Sequence, residues 1–145
     1  MSPSERFWRA WYAPKYLLPI ACLAFGQAAF EAFLLDTLVF LSATWQEKRL
    51  PPRMGLQRIL KEYQDRFSVQ VDPADKMRLD EFAATRNLWI HNGGVVTTEY
   101  AAKAPARLEP GTLREVHSAY VEYALWSYDD AARQLVRALF GPKAV

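Results

Sequence analysis

The sequence predicts an all-α fold, a helical bundle of four main helices plus a short N-terminal helix. Three observations carry that expectation. Apolar residues recur at three-and-four spacing through segments several helical turns long, as on helices with one buried face. Helical cap signals stand at the segment edges: Ser2-Pro3-Ser4-Glu5, Asp72-Pro73 and Thr112-Leu113-Arg114-Glu115 at starts, Gly93-Gly94 and Gly141-Pro142 at ends. The one β-like stretch, Ser68-Val69-Gln70-Val71, is too short and isolated to be a strand.

Composition agrees. The chain has 145 residues, of which 51% are hydrophobic, so a single globular domain with a real core is expected rather than disorder. A net charge of +2 permits local basic patches without demanding a nucleic-acid partner. Cys22 is the only cysteine, which excludes an intrachain disulfide framework and favours a reduced, cytoplasmic setting. The N-terminus lacks the charged, apolar and cleavage regions of a signal peptide in their usual order.

In chain order, Ser2 caps a short helix reaching about Tyr12, with Glu5 as the reciprocal member of a capping box. It interleaves Phe7, Trp8, Trp11 and Tyr12 with Arg6 and Arg9, which suits either docking on the bundle or stacking on RNA. Residues 17–45 form the most apolar helix, long enough to cross a membrane. Gln27, Glu31 and Asp36 argue against a span, because a charge in mid-span costs roughly 2.5–3.5 kcal/mol. A helix apolar nearly all round is central to its bundle or is covered by a second subunit. Gln27 and Glu31 share one face and Asp36 falls on the other side.

Residues 46–53 read as a connector stopped by Pro51-Pro52, with Lys48, Arg49 and Arg53 as a small basic cluster. Residues 54–67 form a helix packing through Met54, Ile59, Leu60, Tyr63 and Phe67. Asp72 caps the next helix, which runs from Pro73 to about His91. Residues 95–111 are a long connection placed to cover a site, with Tyr100, Lys103 and Arg107 as candidate RNA contacts; a packed tyrosine is the alternative for Tyr100. Thr112 then caps a final helix ending at Gly141-Pro142. His117 near its start reads as structural or exposed.

Chemistry concentrates in Arg86-Asn87-Leu88-Trp89-Ile90-His91-Asn92-Gly93-Gly94. The apolar seam of this helix runs Leu79, Phe82, then Arg86, then Trp89, so Arg86 takes a slot where a leucine is expected. A buried arginine needs a partner or an anionic ligand. Asn87 and His91, four apart, share a face. Glu31 and Asp36 are the carboxylates placed to support Arg86 or His91, with Asn92 beside them. The alternative is structural: Arg86 ties helices together through Glu31 or Asp36, and His91 merely ends its helix. No metal-ligand constellation, P-loop or local nucleophile signature is present.

This Arg-polar-x-x-x-His pattern at a helix end, followed by Asn-Gly, resembles the motif of the HEPN superfamily. These are small all-helical domains, many of them metal-independent ribonucleases of toxin–antitoxin, abortive-infection and CRISPR-associated systems. The resemblance covers residues 86–94 and the order of the helices. It implies one HEPN-like domain over residues 1–145, with Arg86 and His91 as the catalytic pair and Asn87 orienting the site. It also implies RNA as substrate, no cofactor, a composite site at a homodimer interface, and control by an antitoxin or another regulatory protein. One subgroup, paired with a nucleotidyltransferase antitoxin, has a tyrosine two residues after the histidine. Gly93 stands there in this chain, which points to the abortive-infection-like, stand-alone kind.

Histidine and arginine suffice for RNA cleavage. The imidazole moves a proton to or from the reacting oxygens, and the guanidinium stabilises the transition-state charge. The 2′-hydroxyl is the internal nucleophile, so the expected ends are a 2′,3′-cyclic phosphate and a 5′-hydroxyl.

Overall fold

The structure is a computed structural model that describes residues 2, 4–5, 14–45, 54–104 and 107–144, with the side chains of 14–16 and 42–45 set aside. Its helices are α1 (Pro14–Trp45), α2 (Leu56–Phe67), α3 (Pro73–Asn92), α4 (Thr98–Lys103) and α5 (Ser118–Phe140). The fold is the expected all-α bundle, in which α1, α2, α3 and α5 are the main helices. At the N-terminus the capping box is formed: Ser2 N–H donates to Glu5 Oε2 at 2.7 Å, and Glu5 N–H to Ser2 Oγ at 3.2 Å. The rest of the expected N-terminal helix, and the basic connector 46–53, lie outside the described residues.

α1 is the central element. It packs on α2, α3 and most extensively on α5. Gly26 lets α5 come close, since a Cβ there would collide with the Leu125 side chain. Leu23, Leu34 and Leu38 of α1 are fully buried, with Ile59, Leu79, Phe82, Ala124 and Leu135 among the residues that complete the core. The burial is one-sided. Leu18, Phe25, Val39 and Phe40 of α1 are exposed, with Phe25 77% open to solvent. By length and composition Leu17–Leu41 is apolar enough to cross a membrane. Within this bundle it divides into a buried core line and an exposed, mainly apolar outer stripe that includes Asp36.

The start and end of α3 follow their sequence signals. Asp72 Oδ1 accepts from Ala74 N–H at 2.9 Å. At the other end Gly93 is left-handed (φ 59°), and the amides of Gly93 and Gly94 return to the carbonyls of Trp89 and Leu88 at 3.1 and 3.2 Å. Gly94 (φ 78°) lies so close under the Trp89 indole that no side chain fits there.

Two local expectations are corrected. The connection 95–111 contains α4, capped by Thr97, whose Oγ1 accepts from Tyr100 N–H at 3.1 Å. The final helix does not start after Thr112 but at Ser118. Residues 111–114 pair instead with Gly94–Val96 in a short antiparallel contact, through Gly111 N–H to Val96 O, Val96 N–H to Thr112 O and Arg114 N–H to Gly94 O, each 2.8 Å. The Trp89 indole N–H takes Arg114 O at 3.0 Å. Carbonyls that would open a helix at Thr112 are thereby occupied, and the Thr112 hydroxyl turns back to Glu109 O at 2.6 Å.

Candidate functional site

α3 separates two cavities and lines both. The first, about 960 Å³, lies between α1, α2 and α3. Arg86 and Asn87 reach it from α3, Gln27 and Glu31 from α1, and Leu56 and Leu60 from α2. Arg58, Lys61 and Lys76 also line it, so Glu31 is one carboxylate among four cations. Arg58 is shared with Glu62 of its own helix and Lys61 with Asp65.

Arg86 enters this cavity only half satisfied. Its Nη1 donates to Asn87 Oδ1 at 3.1 Å, while its buried Nε–H has no acceptor. Among the described residues no ion pair joins Arg86 to Glu31 or Asp36, and Asp36 lies exposed on the outer side of α1. Gln27 is only 3% exposed. Its Nε2 donates to Glu31 Oε1 at 2.7 Å, which leaves its own Oε1 buried without a donor. Among the described residues, the Tyr128 hydroxyl is the third buried side-chain polar atom without a partner. Burial pushes the Tyr128 phenol pKa up, the Glu31 charge adds to the rise, and the Arg86 charge opposes it. Gln27, Glu31, Arg86 and Tyr128 therefore form one electrostatic neighbourhood.

The second cavity, about 980 Å³, lies on the α4 side of α3. His91 and Asn92 line it, both exposed, together with Asn87, Leu88, Tyr100 and Lys103. The structure thus brings Arg86 and Asn87 to one cavity and Asn87 and His91 to the other, with Asn87 on the ridge between them. Lys103 is exposed and paired with Glu99 at 2.8 Å, and Arg107 is exposed. Tyr100 is packed: only 7% exposed, it forms a small cluster with Leu88 and Val96.

The Tyr100 hydroxyl belongs to a network that the sequence reading missed. Glu81 Oε1 accepts from Thr85 Oγ1 at 3.0 Å and from Arg114 Nη2 at 3.3 Å, and Glu81 Oε2 accepts from the Tyr120 hydroxyl at 2.6 Å. Thr85 Oγ1 and the Tyr100 hydroxyl are 2.8 Å apart, and Arg114 Nε donates to that hydroxyl at 3.1 Å. The Arg114 guanidinium lies 4.9 Å from the Tyr120 ring centroid. Burial works against the Arg114 charge, but Tyr100, Tyr120 and Glu81 outweigh it and raise its pKa. The Tyr120 pKa is pushed up by burial first and by the Glu81 carboxylate second. The available sequence signal was Glu81 and Thr85 four apart on one helix, a spacing that pairs side chains.

Among the described residues no group of three or more His, Cys, Asp or Glu side chains converges as metal ligands do. Compared with protein-family models, curated proteins and solved structures, the chain matches none. The class established for this chain is therefore that of its fold, an all-α bundle.

Proposed function

We propose that this protein is a metal-independent endoribonuclease of the HEPN kind, acting as a homodimer in toxin or antiphage defence. The carrying observation is Arg86. It is a guanidinium set in a core-facing helix slot beside a cavity, with a buried N–H that no protein atom satisfies. The guanidinium has no carboxylate partner among the described residues, and its outer nitrogens suit the non-bridging oxygens of a phosphodiester. His91 stands further along the same rigid helix, solvent-accessible for proton transfer.

One subunit supplies one histidine, whereas cleavage needs an acid and a base. A two-fold assembly brings two motifs together and supplies both. The exposed apolar stripe of α1 gives such a dimer something to bury. In this reading Asn87 holds Arg86, His91 exchanges protons with the 2′-hydroxyl or the 5′-oxygen, and an antitoxin or regulatory protein restrains the activity in the cytoplasm.

The test is incubation of wild type, His91→Ala and Arg86→Ala with total RNA in excess EDTA. Wild type is expected to leave 2′,3′-cyclic phosphate and 5′-hydroxyl ends. Each variant should lose at least about 100-fold in rate, the lower range for a general acid or base. Equal cutting by all three would sink the site assignment.

A second reading is a non-catalytic helical dimerisation or RNA-binding module. It is favoured by Arg86 and His91 opening onto different cavities of the same subunit. Folded dimers that bind RNA and leave it intact would select it.

A further inference from the structure

α1 carries two lines of residues on opposite faces. One, through Ile20, Leu23, Gln27, Phe30, Leu34 and Leu38, is buried against the bundle. The other runs Leu18, Cys22, Phe25, Ala29, Ala32, Asp36 and Val39, and every one of these is exposed. This outer line advances by four and three residues in strict alternation. A mean step of about 3.5 residues, kept up for three heptads, is the repeat of a helix that packs along another helix.

The same face is close to a palindrome about Ala29. Phe25 and Phe33 stand four residues to either side, Leu18 and Phe40 eleven to either side, and all four are exposed. At its middle are the small side chains of Ala28, Ala29 and Ala32, also exposed, which let a second helix axis come close. Two copies of this face match when they run antiparallel across a two-fold axis at Ala29. Each Phe25 then meets the partner's Phe33, and each Leu18 the partner's Phe40. A parallel pair would set Asp36 beside the partner's Asp36, a like-charge contact, whereas the antiparallel pair sets it beside the partner's Cys22. Lipid suits the face less well. Residues 17–41 contain Glu31 and Asp36 and no Lys or Arg, while helices that lie on membranes carry Lys and Arg along their polar side.

We propose that this face binds a second copy of the chain, α1 against α1, antiparallel and crossing at Ala29. The proposal rests on the homodimer part of the reading above and gives that dimer a face and a direction; nothing in it depends on the chemistry of Arg86 or His91.

Sedimentation velocity and cysteine cross-linking of the full chain test it. Wild type is expected to be a dimer at micromolar concentration. Ala29→Glu puts two carboxylates against each other on the axis and should weaken the dimer at least about 100-fold. Because Ala29 is exposed in the subunit, the helical circular dichroism should stay unchanged. Cross-linking reads the direction. In the antiparallel pair the two Cys22 residues are separated by fourteen residues of helical rise, about 21 Å, far beyond the roughly 4.4–6.8 Å between the Cα atoms of a disulfide. Mild oxidation should therefore leave wild type without a covalent dimer, and should join Ala29→Cys in a Cys22→Ser background into one. A monomeric wild type, a dimer indifferent to Ala29→Glu, or cross-linking through Cys22 but not through position 29 would each overturn the proposal. So would a monomer that floats with phosphatidylcholine vesicles. A dimer crossing at Ala29 that leaves RNA intact would fail the ribonuclease reading alone. RNA cleavage by a monomeric chain would fail the helix pair and leave the chemistry standing.

Discussion

Two polar clusters flank α3, and they are completed to different degrees. On the α5 side, Glu81, Thr85, Tyr100, Arg114 and Tyr120 join helices and loop into a network in which each side chain has partners. On the α1 side, Gln27, Arg86 and Tyr128 each keep a buried atom without one. Both clusters lie against the same core, through Phe82 and Tyr128. The difference separates polar groups that hold the fold from polar groups that the fold leaves unspent. A buried group without a partner costs about 1–3 kcal/mol, so these three are a standing cost within the core.

Substitutions on each side sharpen that contrast. The largest effect is expected from Glu81→Ala, which leaves Arg114 without its carboxylate and the Tyr120 hydroxyl with Thr85 alone; urea denaturation should show a loss of about 3 kcal/mol. Tyr100→Phe removes one hydroxyl from the same network and should cost about 1 kcal/mol by the same measurement. Gln27→Leu, on the unfinished side, should stay within about 1 kcal/mol of wild type or gain stability, because it deletes an orphan acceptor. A loss of several kcal/mol there would place Gln27 with the structural groups and erase the contrast.

The smallest effect is a control on α2. Hydrogen bonding to Arg66 is the largest cause holding the Glu62 carboxyl below its ordinary pKa; burial opposes it, and Arg58 assists. A depressed carboxylate pKa contributes stability that is full above the ordinary value near 4.5 and is lost as pH falls through the folded value. Glu62→Gln should lower stability modestly at neutral pH, match wild type at acid pH where the carboxyl is protonated, and so flatten the profile below about pH 4.5, as thermal melts across that range would read.

Much of this architecture was legible in the chain. The core-facing seams, Asp72 as a cap and Gly93-Gly94 as a stop are local signals, and local signals survive folding when nothing distant competes. Thr112 failed as a cap because its carbonyl is claimed from across the loop by Val96 N–H. Such a tertiary partner leaves no mark within a few residues of Thr112. Thr97, which does cap α4, was hidden in a stretch whose Pro105, Pro110 and Gly111 read as loop. Arg86 was legible as a charge in an apolar slot. The orphan on Gln27 was not, because its meaning depends on which end of the amide Glu31 occupies. The Glu81 network needed Arg114 and Tyr120, which lie far along the chain and are brought in only by the antiparallel contact and by α5.

That contact has a consequence for engineering. With Gly94–Val96 held against Gly111–Arg114, the chain between them is an excursion whose two ends are already fixed together. Lengthening a closed excursion is thermodynamically mild, about 0.6 kcal/mol for each doubling of length. Extra residues grafted between Leu108, which packs on the Tyr100 cluster, and Glu109, whose carbonyl closes the turn to Thr112, should therefore leave the end of α3 undisturbed. A tag or reporter domain inserted at that point would leave unaltered the helix that carries His91.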